Sequence, residues 1–159
     1  MTTVIQRIKS ATVYADGSLS GKVGAGLYLL LGVSSEDTEE DAELLAEKIC
    51  KLRIFSDENG KMNLSVNDID GEVLVVSNFT LCADYAHGNR PSYLCAAAPE
   101  KANALYERFV AEISRRVRFT ATGKFGADMT TEMTTDGPVT IVMESDVLKK
   151  KHRSAGGAS

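Results

Sequence analysis

A short polar segment at residues 77–80, Ser-Asn-Phe-Thr, ends an apolar run and carries the best candidates for nucleophilic chemistry in this chain. The hydroxyl groups of Ser77 and Thr80 are weak nucleophiles unless a base lies beside them. The two histidines supply no obvious base, because His87 lies in a polar loop and His152 lies near the end of the sequence. A hydrolase that uses Thr80 as its nucleophile on some other ester is therefore an alternative rather than the leading hypothesis.

No spacing in the sequence is typical of a metal site or a nucleotide cofactor. The chain has no His-x-x-x-His or Cys-x-x-Cys pair of the kind that binds zinc. Gly21, Gly24 and Gly26 lie between strand-like runs, whereas a phosphate-binding loop leads into a helix. Asp68 and Asp70 resemble part of a calcium loop whose remaining ligands are missing, which indicates a turn. We therefore predict no metal and no cofactor.

A second segment of interest is the Gly137-Pro138 pair, which stands directly before the apolar run at residues 139–143. Proline cannot donate a hydrogen bond to a sheet, so it suits the first residue of a strand. A glycine before it reaches backbone conformations that are closed to other residues. Taken alone, the pair indicates a turn that begins a strand.

Together the two segments resemble the signatures of the D-aminoacyl-tRNA deacylase family, which read Ser-Gln-Phe-Thr-Leu and Asn-x-Gly-Pro-Val-Thr. The likeness extends from Met1 to Glu144, and it includes residues 11–13, 32–33, 52–55, 60–63 and 125–129. Two positions depart from the family pattern, since Asn78 replaces the usual Gln and Thr135 or Asp136 stands near the family's Asn. Residues 145–159 look unrelated to the family.

The resemblance implies an enzyme that hydrolyses the ester bond of D-aminoacyl-tRNA, and of glycine mischarged onto tRNA for alanine, releasing free amino acid and tRNA. It also implies a homodimer with the active site at the subunit interface. There a cis Gly137-Pro138 peptide of one subunit would face the catalytic segment of the other subunit. An L-amino acid would clash with this pair, whereas a D-amino acid or glycine turns away from it. The residues implied for catalysis are Ser77, Asn78, Phe79 and Thr80.

The same resemblance implies that main-chain groups and the substrate itself do most of the chemistry. N–H groups around Phe79 and Thr80 would stabilise the tetrahedral oxyanion, and the ribose 2′-hydroxyl of the substrate would help to activate water. Arg7 matches an arginine that braces the Gly-Pro loop. Phe125 and Met129 match positions that line the pocket and the site of the terminal adenosine. For each of these three residues, ordinary core packing is the alternative.

A non-enzymatic alternative is a tRNA-end binding module that has lost activity, and Asn78 in place of Gln is the only feature that favours it. The net charge of −4 argues against DNA as a partner and against the wrapping of long RNA. Proteins that grip many phosphates usually carry a general basic surface. Reading only the 3′ end of an aminoacyl-tRNA needs no such surface.

Length and composition fit one globular domain. The chain has 159 residues, of which 43% are hydrophobic and 25% charged, and this length allows a sizeable core. No apolar run approaches the ~20 residues of a membrane helix, and the first residues lack the apolar core of a signal peptide. We therefore expect a cytoplasmic protein that does not contact a membrane. The three cysteines have no short-range pair, which favours free thiols.

The elements that position these segments follow from apolar periodicity. The run at residues 26–33 has no polar alternation, which predicts a strand buried on both faces. Asp16-Gly17 between β-favouring runs predicts a hairpin. Helical spacing predicts one helix capped by Asp37 or Thr38 and another that begins at Pro99. Further strands are predicted at residues 4–8, 72–80, 117–122, 129–133 and 139–144.

Many strands and two main helices predict a single-domain α/β fold. In this fold a strongly curved or barrel-like, mostly antiparallel β-sheet is covered by the helices. Residues 1–144 form the deacylase domain in this interpretation. Residues 145–159 hold four basic residues and end in Ala-Gly-Gly-Ala-Ser, which predicts a flexible basic tail.

Overall fold

The computed structural model describes the backbone of residues 1–155 and the side chains of residues 1–150. The strands are β1 (Thr2–Ala15), β2 (Ser18–Val23), β3 (Gly26–Gly32), β4 (Phe55–Ser56), β5 (Met62–Leu64), β6 (Glu72–Ser77), β7 (Phe119–Thr122) and β8 (Met129–Glu144). The helices are α1 (Glu39–Cys50), α2 (Pro99–Ser114) and α3 (Ser145–Ala155), with a short 3₁₀ helix at Phe79–Cys82. None of the helices within this described part is long and apolar enough to cross a membrane.

Strand β1 is the centre of a six-stranded sheet. Its first half pairs with β3 and its second half pairs with β2, while β8 pairs along nearly its whole length. All three of these pairings are antiparallel. The connection between β1 and β2 is the predicted hairpin at Asp16 and Gly17, whose φ angles are 51° and 78°.

The other part of the sheet is parallel, so the expected mostly antiparallel sheet is a mixed one, with three antiparallel and two parallel pairings. Strand β6 pairs in parallel with both β3 and β7. Parallel neighbours need a crossover connection, and α1 and α2 supply it by lying between these strands in the chain. The sheet is therefore mixed, because the two helices predicted between strands connect parallel neighbours.

The sheet curls until β2 lies beside β7, so that the barrel is nearly closed. The Ser20 hydroxyl donates to the carbonyl oxygen of Thr122 across this seam at 3.1 Å. A Cβ atom at Gly21 would lie only 2.8 Å from the same oxygen, so the close approach requires glycine. A single α/β domain with a barrel-like sheet is thus confirmed.

The curled sheet buries side chains on both of its faces. Helices α1 and α2 cover the outer face, where Ile49 and Phe109 are fully buried in one cluster with Leu29 of β3. The inner face holds a second cluster that includes Tyr28 and Leu74. Strand β3 contributes to both clusters, which confirms the strand predicted to be buried on both faces. The predicted helix starts are also confirmed, with α1 capped by Thr38 and Pro99 in the first turn of α2.

Helix α3 corrects the prediction of a flexible tail over residues 145–159. The side chain of Ser145 is fully buried, and Leu148 packs against the main core. The ammonium group of Lys149 lies 2.6 Å from a carboxylate oxygen of Asp41, a fully buried residue in the first turn of α1. The described contacts of this helix are mostly polar, from Ser145 and Lys149, so the apolar pattern of the sequence does not reveal them. Residues 156–159 of the predicted tail lie outside the described part.

The Asp41 carboxylate is the polar centre of this contact. Burial raises its pKa, but hydrogen bonds from Lys149, Ser145 and Thr38 outweigh burial and hold the pKa well below its usual range. A carboxyl group whose pKa is lower in the folded state stabilises the fold above its unfolded pKa of about 3.9. That stabilisation is lost as the pH falls through the folded-state value.

Lys149→Met should lower the free energy of unfolding at pH 7 by about 2 kcal/mol, because it leaves a buried carboxylate with fewer partners. The difference from the wild type should shrink as the pH falls below about 4, because the folded variant, without Lys149, protonates Asp41 at a higher pH than the folded wild type does. Urea unfolding at several pH values measures both effects. Lys61→Met, at an exposed lysine of the β4–β5 hairpin, is the control and should change stability by less than about 0.5 kcal/mol. An equal deficit at pH 7 and at pH 3 would contradict the assignment.

Candidate active site

A cavity of about 720 Å³ lies at the ends of β3 and β6, beside the start of α2. Its walls come from β3, the end of β6, the 3₁₀ helix, the loop before α2, the loop before β8, and β8 itself. Aromatic and aliphatic side chains dominate these walls. Every lining residue in the described part of the chain has an uncharged type of side chain.

The cavity brings together five of the nine residues predicted for the site. They come from two separate parts of the chain and are Ser77, Asn78, Phe79, Phe125 and Met129. The other four do not line the cavity of this single chain: Thr80 is exposed just beyond it, and Arg7, Gly137 and Pro138 lie at a separate corner of β8. The sequence motifs thus correspond to two places on one chain.

Asn78 links the end of β6 to the 3₁₀ helix and caps that helix. Its side-chain oxygen accepts a hydrogen bond from the Thr80 N–H at 3.2 Å and a second, short one from the Thr80 hydroxyl. Both donors of Thr80 are therefore engaged locally. The N–H of Phe79, at the first position of the helix, has no carbonyl within the helix to bind, as is general for helix N-termini.

Aromatic rings form one side of the cavity. The Phe79 ring is 57% exposed and meets Tyr93 edge to face, with ring centroids 5.1 Å apart. Phe125 packs against Tyr106 at 6.0 Å. The Tyr106 hydroxyl donates to the carbonyl oxygen of Val75 at 3.0 Å, and burial, partly offset by a hydrogen bond with Thr122, raises its pKa to about 12. Tyr106 is thus a neutral structural residue that holds Phe125 in place.

The Gly137-Pro138 corner is a bulge within β8 rather than the start of a separate strand. Residues 136–139 of β8 stand opposite Arg7 alone, because the register passes from the Ile8–Thr135 pair to the Gln6–Thr140 pair. The peptide bond between Gly137 and Pro138 is cis, as the resemblance implies, and both residues are exposed. The two strands predicted at residues 129–133 and 139–144 are therefore one continuous strand.

Arg7 braces this corner from the inside of the fold. Its Nε atom lies 3.0 Å from a carboxylate oxygen of Asp136 and donates to the Asp136 carbonyl oxygen at 3.2 Å. Its Nη1 atom donates to the carbonyl oxygen of Ile54 at 2.6 Å. A Cβ atom at Gly137 would lie 2.8 Å from the backbone nitrogen of Val139 and 3.2 Å from the Arg7 guanidinium, and the φ angle of Gly137 is +126°. Only glycine fits this backbone and this space together.

A hydrogen-bonded pair of hydroxyl groups is among the cavity features that were not predicted from the sequence. The hydroxyl groups of Tyr28 in β3 and Thr131 in β8 lie 3.0 Å apart, and both residues line the cavity. Tyr28 stands in an otherwise aliphatic run, and a buried tyrosine hydroxyl usually needs a partner. That single polar atom is the signal that could have marked it. Within the described residues, no group of three His, Cys, Asp or Glu side chains is arranged to hold a metal ion.

Comparison with known proteins gives matches over nearly the whole chain. The family profile described as D-Tyr-tRNA(Tyr) deacylase matches residues 4–144. A D-aminoacyl-tRNA deacylase of Dictyoglomus turgidum is 48% identical over 153 residues, which cover 96% of this chain and 98% of that protein. A D-aminoacyl-tRNA deacylase of Clostridium botulinum (strain 657 / Type Ba4) is 50% identical over 145 residues, covering 91% and 97%.

Two solved structures share the fold. A protein described as c-Myc DNA Unwinding Element Binding Protein superposes with a TM-score of 0.85 and 39% identity, covering 91% of this chain and 98% of that one. A probable eukaryotic D-amino acid tRNA deacylase gives a TM-score of 0.77 and 16% identity, covering 91% and 100%. At that identity the second likeness shows the fold alone.

Asn78→Ala should lower the free energy of unfolding by about 1 kcal/mol, because the 3₁₀ helix loses its cap. Asn78→Asp keeps an oxygen at the same position and should cost no more than about 0.3 kcal/mol. Guanidinium unfolding measures both variants. Asn59→Ala, in the exposed turn between β4 and β5, is the control. Equal losses for the Ala and Asp variants of Asn78 would show that the cap contributes nothing.

Proposed function

Because the chain belongs to the D-Tyr-tRNA(Tyr) deacylase family and is a D-aminoacyl-tRNA deacylase by homology, we propose how its cavity carries out that hydrolysis and rejects L-amino acids. The family assignment makes the chain a hydrolase. The alternative of an inactive tRNA-end binding module is therefore not retained.

The uncharged cavity lining is the observation that carries the proposed mechanism. The described side chains around the cavity supply neither a carboxylate nor an imidazole, so main-chain groups and the substrate supply the catalysis. Water attacks the ester carbonyl, the bond from the carbonyl carbon to the ribose oxygen breaks, and that oxygen leaves with a proton. The ribose 2′-hydroxyl, next to the reacting ester, helps to activate the water.

The catalytic segment in this proposal is residues 77–80. The Phe79 N–H, unused within its helix, donates to the oxyanion as it forms. The Thr80 N–H is held by Asn78, so Asn78 sets the orientation of the turn and Thr80 contributes through its backbone position. Ser77 lines the cavity and orients the ester. Phe125 and Met129 form the wall against which the terminal adenosine packs.

Chirality is rejected by the Gly137-Pro138 corner of a second subunit in this proposal. The corner is exposed in the single chain, which leaves it accessible to a partner, and Arg7 holds it in place through Asp136. An L-side chain in the cavity of the partner subunit would meet this corner, whereas a D-side chain points away. Glycine has no side chain to reject, so glycine mischarged onto tRNA for alanine is also a substrate.

The proposed partner is the 3′ end of aminoacyl-tRNA, bound by a homodimer. The net charge of −4 does not favour contact with many phosphates. The same charge argues against DNA as a partner.

Deacylation assays with four substrates test the proposal. D-Tyrosyl-tRNA and glycyl-tRNA for alanine should be hydrolysed and L-tyrosyl-tRNA spared. D-Tyrosine ethyl ester lacks the ribose 2′-hydroxyl and should react far more slowly. Equal rates with the ethyl ester would indicate a protein nucleophile, and hydrolysis of L-tyrosyl-tRNA would remove the chirality filter. Sedimentation of the active enzyme should give the mass of a dimer.

Thr80→Ala should reduce single-turnover hydrolysis of D-tyrosyl-tRNA by no more than about tenfold, or ~1.4 kcal/mol. The Thr80 hydroxyl donates to Asn78, and the backbone N–H that Asn78 also holds remains in the variant. Thr80→Ser keeps a hydroxyl group and is the matched control. A thousandfold loss in Thr80→Ala with activity retained in Thr80→Ser would instead assign Thr80 as a covalent nucleophile.

Gly137→Ala should lower the ratio of D- to L-tyrosyl-tRNA hydrolysis at least ~tenfold, because an added Cβ displaces the corner from Val139 and Arg7. Gly60→Ala is the matched control. Gly60 also has a positive φ angle, +75°, but a Cβ there meets nothing within 4 Å. The control should lose about 1 kcal/mol of stability and keep the D-to-L ratio. A folded Gly137→Ala dimer with an unchanged ratio would contradict the filter.

A further inference from the structure

The hydroxyl pair of Tyr28 and Thr131 is the polar feature of the cavity that the proposed mechanism does not use. The two oxygens lie 3.0 Å apart, and Tyr28 is only 3% exposed. Around them the cavity lining is apolar, with Leu30, Val76 and Met129 as neighbours in the inner cluster. A pair of hydroxyls in such surroundings is a specific recognition element if a ligand reaches it.

The pair exists only because the sheet curls. Tyr28 is in register with Gln6 near one end of β1, and Thr131 is in register with Val13 near the other end. Curvature brings β3 and β8 together over the inner face, so that side chains 103 residues apart share a hydrogen bond. The hydroxyls are thus held by two strands of the rigid barrel rather than by a loop.

Hydrogen-bond capacity remains after the two groups have bonded to each other. Each hydroxyl has one donor and two acceptor lone pairs, and the mutual bond uses one donor and one acceptor. One O–H and three lone pairs remain beyond the mutual bond, on two residues that line the cavity. Burial raises the pKa of Tyr28, with the hydrogen bond to Thr131 opposing it, so the phenol stays protonated at neutral pH and keeps its O–H.

The substrate offers a matching group. This step rests on the proposed function, in which the 3′-terminal adenosine of tRNA enters the cavity. A cavity of about 720 Å³ with aromatic walls suits a flat base. Adenine presents an N6 amino donor beside a ring-nitrogen acceptor, and a hydroxyl pair with one free donor and free lone pairs complements that edge.

We propose that Tyr28 and Thr131 read the polar edge of the terminal adenine, accepting a hydrogen bond from its N6 amino group and donating one to the adjacent ring nitrogen. They are specificity-determining residues that act on the base, away from the ester.

The test compares D-tyrosyl-tRNA that ends in adenosine with the same tRNA ending in purine ribonucleoside, which lacks the N6 amino group. In the wild type, loss of one hydrogen bond should lower kcat/KM about fivefold. Tyr28→Phe and Thr131→Val should lower kcat/KM on the adenosine substrate by a similar factor. In the variant that removes the acceptor of the amino group, the ratio between the two substrates should fall towards one, since that partner is already gone.

Matched controls are available on the neighbouring strand pair. Tyr14 and Thr130 face each other across β1 and β8, and neither lines the cavity. Tyr14→Phe and Thr130→Val make the same chemical changes and should keep the wild-type substrate ratio. Thermal unfolding of all four variants separates lost recognition from lost stability.

D-Phenylalanyl-tRNA and D-alanyl-tRNA identify which part of the substrate the pair reads. A uniform loss across the three amino acids in Tyr28→Phe supports base recognition. A loss confined to D-tyrosyl-tRNA would mean that the pair reads the amino-acid phenol and would overturn the inference. An unchanged substrate ratio in both variants would also overturn it and leave the proposed function standing. Failure of the wild type to hydrolyse any D-aminoacyl-tRNA would overturn the proposed function itself, together with this inference.

Discussion

The pairing of one long strand with three others is the constraint on which the rest of this structure depends. A strand has two edges, and β8 occupies one edge of β1 along nearly its whole length while β3 and β2 divide the other. Strands β2 and β3 therefore continue the sheet from the two ends of β1, and the sheet curls until β2 reaches β7. That curvature forms the inner cluster, brings Tyr28 to Thr131, and places the cavity where β3 and β6 end.

The β1–β8 register also determines where the Gly137-Pro138 corner stands. Four residues of β8 lie opposite Arg7 alone, so the extra length leaves the sheet as a bulge. Arg7 holds this bulge against the fold by binding the backbone and carboxylate of Asp136 and the backbone of Ile54. The charge of Arg7 therefore lies behind the corner, and the described lining of the separate cavity is uncharged.

Several polar groups near the cavity form hydrogen bonds within the protein. Asn78 holds the backbone N–H and the hydroxyl of Thr80, Tyr106 binds a strand carbonyl, and Tyr28 binds Thr131. Each bond fixes one wall without placing a formal charge inside. Such a cavity is consistent with a reaction in which preorganised backbone dipoles act on a developing oxyanion, because fixed dipoles in an apolar site need little reorganisation.

The sequence by itself determined the local elements and the family. The unbroken apolar run of β3 predicted burial on both faces, Thr38 and Pro99 predicted two helix starts, and the Ser77 and Gly137 segments predicted the chemistry through resemblance. Only the tertiary structure decided that β6 pairs in parallel, that the Gly-Pro corner is a bulge, that α3 docks on Asp41, and that Tyr28 meets Thr131. The spacing of apolar residues in the sequence shows which side chains of a single helix or strand are buried. Strand pairings, single ion pairs and isolated hydroxyl contacts join residues that are far apart in the chain. They follow no repeating pattern in the sequence, so only the folded structure shows them.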